Sequence, residues 1–387
     1  MSHVLTRRDF ALRTAGLCLA VGLAIAGTPA CQRASEPGSH PETSPLLADP
    51  SSAVDPELLP ALEQFPAFDL SMEMVAQFRQ MPVLPPLPVP VPQPVERFIP
   101  GPSGPTGASR ASRASDLRLW IVDPLPLETG KPVLLHMHGG GFLMTDPMWM
   151  PRIQTIATDC QCVVVSVDYR LAPETRFPGA LEDNYAALKW VHAHAAELGI
   201  DRSRIAVGGE SAGGGLAASL AIHARDRSQR HEIPILFQLL VYPQLDDRTG
   251  SIPLASPAHS AMGHFLWPAS ANRLAWSAWL GVPAGSSQVP AAAVPARVAS
   301  VAGLPPAWIG VGSIDLFVEE DMEYARRLVR AGVATELLVV PGSFHGFDVL
   351  VPDAEASKRF TASWKSALRK AFAKGKTIQQ ETPRRNP

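Results

Sequence analysis

Ile205-Ala206-Val207-Gly208-Gly209-Glu210-Ser211-Ala212-Gly213-Gly214-Gly215-Leu216-Ala217-Ala218-Ser219-Leu220-Ala221 decides the fold. Its first four residues form a short apolar run that reads as a buried strand, and the stretch from Gly214 reads as a small-residue helix. Between them Ser211 stands among glycines on a strand-to-helix turn, the geometry of a nucleophile elbow. Such a turn is too tight, and the backbone approach too close, for most side chains. The strain lifts the serine hydroxyl above the sheet, within reach of a base. A glycine-rich helix start also serves packing or anion binding, so the partners of Ser211 must decide.

Outward from this stretch, strands and helices alternate from Leu117 onward. Val133–Met137, Val163–Val167, Ile205–Gly208, Ile235–Val241, Ala307–Val311 and Glu336–Val340 read as buried parallel strands. Ala180–Glu197, Ala212–Asp226 and Glu319–Ala331 read as helices between them. The rhythm implies an α/β fold with a doubly wound, mostly parallel sheet and helices on both faces. Sites in such sheets lie at the carboxyl ends of the strands. The stretch from Leu245 to about Leu280, rich in Ser, Ala, Trp and Pro, breaks the rhythm and reads as part of a lid over those ends.

Acyl transfer through a serine needs oxyanion donors, a base and a group that orients the base. His138-Gly139-Gly140-Gly141 follows the strand Val133–Met137, where an oxyanion loop belongs. Consecutive glycines let backbone N–H groups face the cleft, alongside the N–H of Ala212. His345 follows the last strand and Asp315 the one before it, so Ser211, Asp315 and His345 stand in the chain order of a Ser-Asp-His hydrolase. Glu319, Glu320 and Asp321 read instead as the first turn of the next helix, where negative charge is favourable. His138 reads as a support that hydrogen-bonds the glycine loop, His136 as a strand residue, and His259 and His264 as lid residues.

These motifs resemble the hormone-sensitive-lipase-like (bacterial family IV) carboxylesterases of the α/β-hydrolase superfamily. The matching pieces are His138-Gly139-Gly140-Gly141-Phe142, Asp168-Tyr169-Arg170-Leu171-Ala172-Pro173-Glu174, Gly209-Glu210-Ser211-Ala212-Gly213-Gly214 and Phe344-His345-Gly346-Phe347, in order over roughly residues 95 to 370. The resemblance implies an α/β-hydrolase fold with a helical cap, an oxyanion hole at Gly140, Gly141 and Ala212, and hydrolysis of short- to medium-chain esters through an acyl-enzyme on Ser211. It places the cap in Pro56–Gln80 and Leu245–Leu280, and gives Asp168 and Arg170 the task of tying the loop near the oxyanion strand. Glu210 stands where many members have Asp, and Thr145-Asp146 replaces a common glycine; both are expected to affect the acyl pocket. Two rivals stay open: a deacetylase or amidase acting on a specific natural product, and a non-catalytic small-molecule binder on the same fold.

Composition sets the remaining bounds. The chain has 387 residues, 46% of them hydrophobic, and its 36 acidic and 34 basic residues nearly cancel. No basic stripe points to nucleic acid, so a small-molecule ester is the expected partner; oligomeric state stays open, a homodimer included. Thr6-Arg7-Arg8-Asp9-Phe10 before the apolar stretch Ala15–Ala26 has the layout of a twin-arginine export signal. The apolar stretch is short for a membrane span. Export to the periplasm or cell surface is expected, and Cys31 offers a site for a lipid anchor, although Thr28 and Pro29 fit a lipobox poorly. Four cysteines, with Cys18 in the signal and Cys160 and Cys162 near a strand, imply no disulfide framework. His192 and His194 point apart on a helix, and neither metal nor cofactor is expected. The expected organisation is a signal over 1–30 and a flexible leader over 31–55. Cap helices and a Pro-rich connector follow over 56–94, the catalytic domain over 95–375, and a disordered tail over 376–387.

Overall fold

Val133 and Leu135 face one side of their strand and Leu134 the other, and all three are fully buried. A strand buried on both faces needs helices above and below it. The computed structural model, which describes residues 49–63, 69–102, 116–146, 148–227, 233–250 and 261–381, supplies them. In chain order the strands are β1 (Val95–Pro100), β2 (Asp116–Val122), β3 (Lys131–Met137), β4 (Val163–Val167), β5 (Ile200–Glu210), β6 (Phe237–Val241), β7 (Ala307–Gly312) and β8 (Thr335–Val340). The helices are α1 (Leu59–Leu62), α2 (Met72–Phe78), α3 (Trp149–Cys160), α4 (Gly179–Ala193), α5 (Ala212–Arg227), α6 (Ala269–Leu280), α7 (Val318–Arg330), α8 (Phe347–Leu350) and α9 (Glu355–Glu381).

The strands make one sheet in the order β1-β2-β4-β3-β5-β6-β7-β8. β2 pairs antiparallel with β1 and β4, and every other pair is parallel. Helices α4, α5 and α7 pack on the face presented by Val133, Leu135, Val165, Val207 and Ile309. Helices α3 and α9 pack on the other, against Leu134, Val164, Ala206, Leu239 and Trp308. Period-two alternation thus feeds two cores from one sheet. Each buried aliphatic side chain contributes roughly 1.5–3 kcal/mol.

All six expected strands are present; β1, β2, α3, α8 and α9 are additions, and α6 forms within the stretch expected to be a lid. β1 lies among prolines with only Ile99 buried, so neither apolar run nor alternation marks it. It tolerates Pro100 because it is the edge of the sheet. The cap helices expected within 56–94 include α1 and α2: Ser71, in extended backbone, starts α2 and accepts a hydrogen bond from the Met74 N–H at 3.2 Å. That cap satisfies a free helix-end donor and fixes a new start. At the other end α9 runs through Glu381, into the stretch expected to be a disordered tail. Lys376, Gln379, Gln380 and Glu381 there are good helix formers and continue the helix. The signal, Cys18, Cys31 and His259 also lie outside the described residues. Among those described, no helix is long and apolar enough to cross a membrane.

Candidate active site

β5 ends at Glu210 and α5 starts at Ala212, leaving Ser211 alone in the turn. Its φ of 56° is left-handed, a conformation that costs a side-chain-bearing residue roughly 1–2 kcal/mol. Neighbouring strands hold it there. The Ser211 N–H donates to the Val241 carbonyl at 2.9 Å, and its carbonyl accepts from the N–H groups of Gly215 and Gln244, each at 3.0 Å. A Cβ on Gly213 would stand 2.0 Å from the Met137 carbonyl oxygen, which is why this turn closes on β3 only with glycine there.

Ser211, Asp315 and His345 come together at the carboxyl ends of β5, β7 and β8. His345 Nε2 lies 2.9 Å from Ser211 Oγ, and His345 Nδ1 lies 2.8 Å from Asp315 Oδ2. A proton on Nδ1 donates to the carboxylate and leaves Nε2 to accept from the serine hydroxyl. Asp315 is buried, and its other oxygen accepts the Phe317 N–H at 2.9 Å. The imidazole is boxed by the rings of Tyr242 at 4.8 Å and Phe317 at 5.1 Å. The glycine loop faces the same turn: a Cβ on Gly139 would lie 3.6 Å from Ser211 Cβ. Gly140, with φ 113°, is required because a Cβ there would strike the Met144 carbonyl oxygen at 1.9 Å. The loop, Ser211 and the start of α5 at Ala212 therefore line one cleft.

Residues 134–349, from β3 to α8, match the family described as alpha/beta hydrolase fold. The chain belongs to the α/β-hydrolase fold family. It is similar to esterase LipI of Mycobacterium tuberculosis, with 37% identity over 78% of this chain and 89% of that protein. Carboxylesterase NlhH of the same organism is 36% identical over 84% of this chain and 99% of its own length. Among solved structures, a bacterial heroin esterase superposes with a TM-score of 0.69 at 35% identity, covering 83% of this chain and 98% of that one. The chain is a carboxylesterase-type hydrolase of the hormone-sensitive-lipase-like group.

The supporting residues of this hydrolase sit where their chemistry demands. His138 Nδ1 and the Gly139 carbonyl are 2.7 Å apart, and the His138 ring stacks on Tyr169 at 4.3 Å. Burial pushes the His138 imidazole down to about 4, so it is a neutral support. Tyr169 Oη donates to the His138 carbonyl at 2.7 Å. Arg170 does not pair with Asp168: it forks onto Asp183 of α4, while Arg118 of β2 donates to Asp168 at 2.8 Å. Glu210 does not reach an acyl pocket. Its carboxylate turns beneath the elbow to His136 Nε2 at 3.0 Å and to the Arg152 Nε–H at 2.7 Å. Burial works to raise its pKa, but Arg152 and His136 win and hold it down at about 2. Asp146 accepts the Met148 N–H at 2.9 Å, and burial raises its pKa. Cys160 and Cys162 are buried free thiols, and no described cluster of His, Cys, Asp or Glu could hold a metal ion.

Four residues near the site carry no motif: Arg152, Tyr242, Trp267 and Asp348. Trp267 comes from the expected lid. Its indole edge presses on the glycine loop, where a Cβ on Gly141 would fall 2.4 Å from Trp267 Cη2, and its ring lies 6.4 Å from that of His345. Asn272 Oδ1 accepts from Trp267 Nε1 at 3.4 Å and from Gln244 Nε2 at 2.8 Å, anchoring the indole. Arg152 had one signal, a lone charge among Trp149, Met150, Ile153, Ile156 and Ala157, which recur at helical spacing.

Proposed function

We propose that this hydrolase cleaves short- to medium-chain carboxylic esters through an acyl-enzyme on Ser211. The observation that carries the reading is the unbroken relay from Ser211 Oγ through His345 to buried Asp315, at 2.9 and 2.8 Å. His345 takes the hydroxyl proton as Ser211 attacks the ester carbonyl, and Asp315 keeps the imidazole in the tautomer that can do so. The N–H groups of Gly140, Gly141 and Ala212 receive the oxyanion, each donor supplying roughly 3 kcal/mol by the measure of a known hydrolase. His345 returns the proton to the departing alcohol, and water then frees the acid by the same steps. Trp267 supports the restriction in acyl length, since a fixed indole between Gly141 and His345 narrows the cleft above the nucleophile. Ser211→Ala is expected to abolish hydrolysis of p-nitrophenyl acetate while circular dichroism shows the same fold. Turnover retained by that variant overturns the assignment.

We further propose that the enzyme acts outside the cytoplasm. Paired Arg7-Arg8 ahead of the apolar run Ala15–Ala26 supports export by a twin-arginine route, which carries folded proteins and suits a chain whose described cysteines, Cys160 and Cys162, are free thiols.

A further inference from the structure

The nucleophile and the base arrive from segments 134 positions apart in sequence, and their separation must be held to a few tenths of an ångström. Buried side chains beneath the cleft span the two segments. Arg152 projects from α3 with its side chain 12% exposed. Its Nε–H donates to Oε1 of Glu210, the residue before Ser211, at 2.7 Å. Its Nη1–H donates to Oδ2 of Asp348, three residues after His345, at 3.3 Å. Asp348 Oδ1 in turn accepts the Tyr242 hydroxyl at 3.0 Å, and the Tyr242 ring backs the His345 imidazole at 4.8 Å. One planar guanidinium therefore grips the elbow with one nitrogen and the histidine loop with another.

We propose that Arg152 is a positioning residue that clamps the Ser211 elbow to the His345 loop through Glu210 and Asp348. The proposal rests on the assignment of Ser211 and His345 as nucleophile and base. Arg152 touches no reacting atom. Its contribution is to keep Ser211 Oγ and His345 Nε2 within hydrogen-bond reach, so its loss lowers kcat and leaves substrate binding alone. A lysine keeps the charge that two buried carboxylates need, but has no fork to engage both.

The test compares Arg152→Lys, Asp348→Asn and Ser211→Ala in the full chain. Steady-state kinetics on p-nitrophenyl butyrate are referred to sites titrated with a fluorophosphonate probe. Arg152→Lys is expected to lower kcat per titrated site by roughly 10- to 100-fold, with KM within about twofold of the parent. Asp348→Asn, which loosens only the histidine side, is expected to fall between the two. Unchanged kcat per titrated site in Arg152→Lys overturns the clamp, as does a loss that appears wholly in KM. If Arg152→Lys does not fold, Asp348→Asn decides alone: a lowered kcat at constant KM supports the clamp, and parent kinetics overturn it. Ser211→Ala separates the underlying assignment, because probe labelling that survives in this variant refutes the nucleophile and removes the premise of the clamp, whereas parent kinetics in Arg152→Lys refute the clamp alone.

Discussion

Asp321 shows how far one residue's role depends on where its helix lies. Its position in the first turn of α7 favours a negative charge, as the sequence reading expects. The structure buries it completely, with neither carboxylate oxygen hydrogen-bonded among the described residues. Burial, with Glu320 and Asp315 nearby, pushes its pKa well above the usual range. The folded chain therefore holds this proton more tightly than the unfolded chain does. Stability is lost as pH climbs above the ordinary carboxylate range, because the proton must be kept or a bare charge buried. Asp321→Asn removes that cost. It is expected to stabilise the protein by roughly 1–3 kcal/mol at about pH 8 and by little at about pH 4. Thermal unfolding of both proteins across this interval is the check, and an equal difference at both ends sinks the argument. Neighbouring Glu320 differs only in its reach: its Oε1 accepts the Leu245 and Asp246 N–H groups at 2.6 and 3.2 Å and ties the start of the cap to α7.

Among the elements, the segment between β6 and α6 carries the side chain expected to set acyl length. After β6 the chain leaves the sheet, returns through residues 261–267 and continues as α6. The Gly263 N–H donates to the Ile314 carbonyl at 3.1 Å, pinning this segment to the loop that bears Asp315. Leu266, at φ 62°, turns the chain just before Trp267. An indole held against Gly141 is expected to shorten the space for the acyl chain, where each methylene that fails to fit costs roughly tenfold or more in kcat/KM. Trp267→Ala is expected to raise the ratio of octanoate to acetate kcat/KM by roughly tenfold. A series of p-nitrophenyl esters measures it, and an unchanged ratio shows that Trp267 does not limit acyl length. The sequence reading expected a lid over Leu245–Leu280 and gave no geometry for it. An irregular stretch rich in Ser, Ala and Trp has no period from which a contact could be read.

At the scale of the whole molecule, the leader and the hydrolase are separate problems. Arg7→Lys with Arg8→Lys is expected to leave the enzyme in the cytoplasm of a host with twin-arginine export. Fractionation with ester activity as the marker checks this, and undiminished activity outside the cytoplasm counts against the route. For the rest of the chain, local sequence determined a great deal. Apolar runs long enough to be buried strands, helices between them, and glycines at tight turns are properties of neighbouring residues. They were enough to place β3 to β8, the Ser211 elbow, and the chain order of Ser211, Asp315 and His345. Weakly buried β1 and the start of α2 at Ser71 escaped because edge burial and a serine cap leave little periodic trace, whereas α3 does carry a helical period in Trp149, Met150, Ile153, Ile156 and Ala157 that the reading passed over. Only tertiary structure decided that Glu210 turns away from the cleft, that Arg170 takes Asp183 and not Asp168, and that Arg152 meets Asp348 across 196 positions. Such pairings depend on which side chains the sheet brings within a few ångströms, and hydrogen bonds and burial carry no signature in sequence separation.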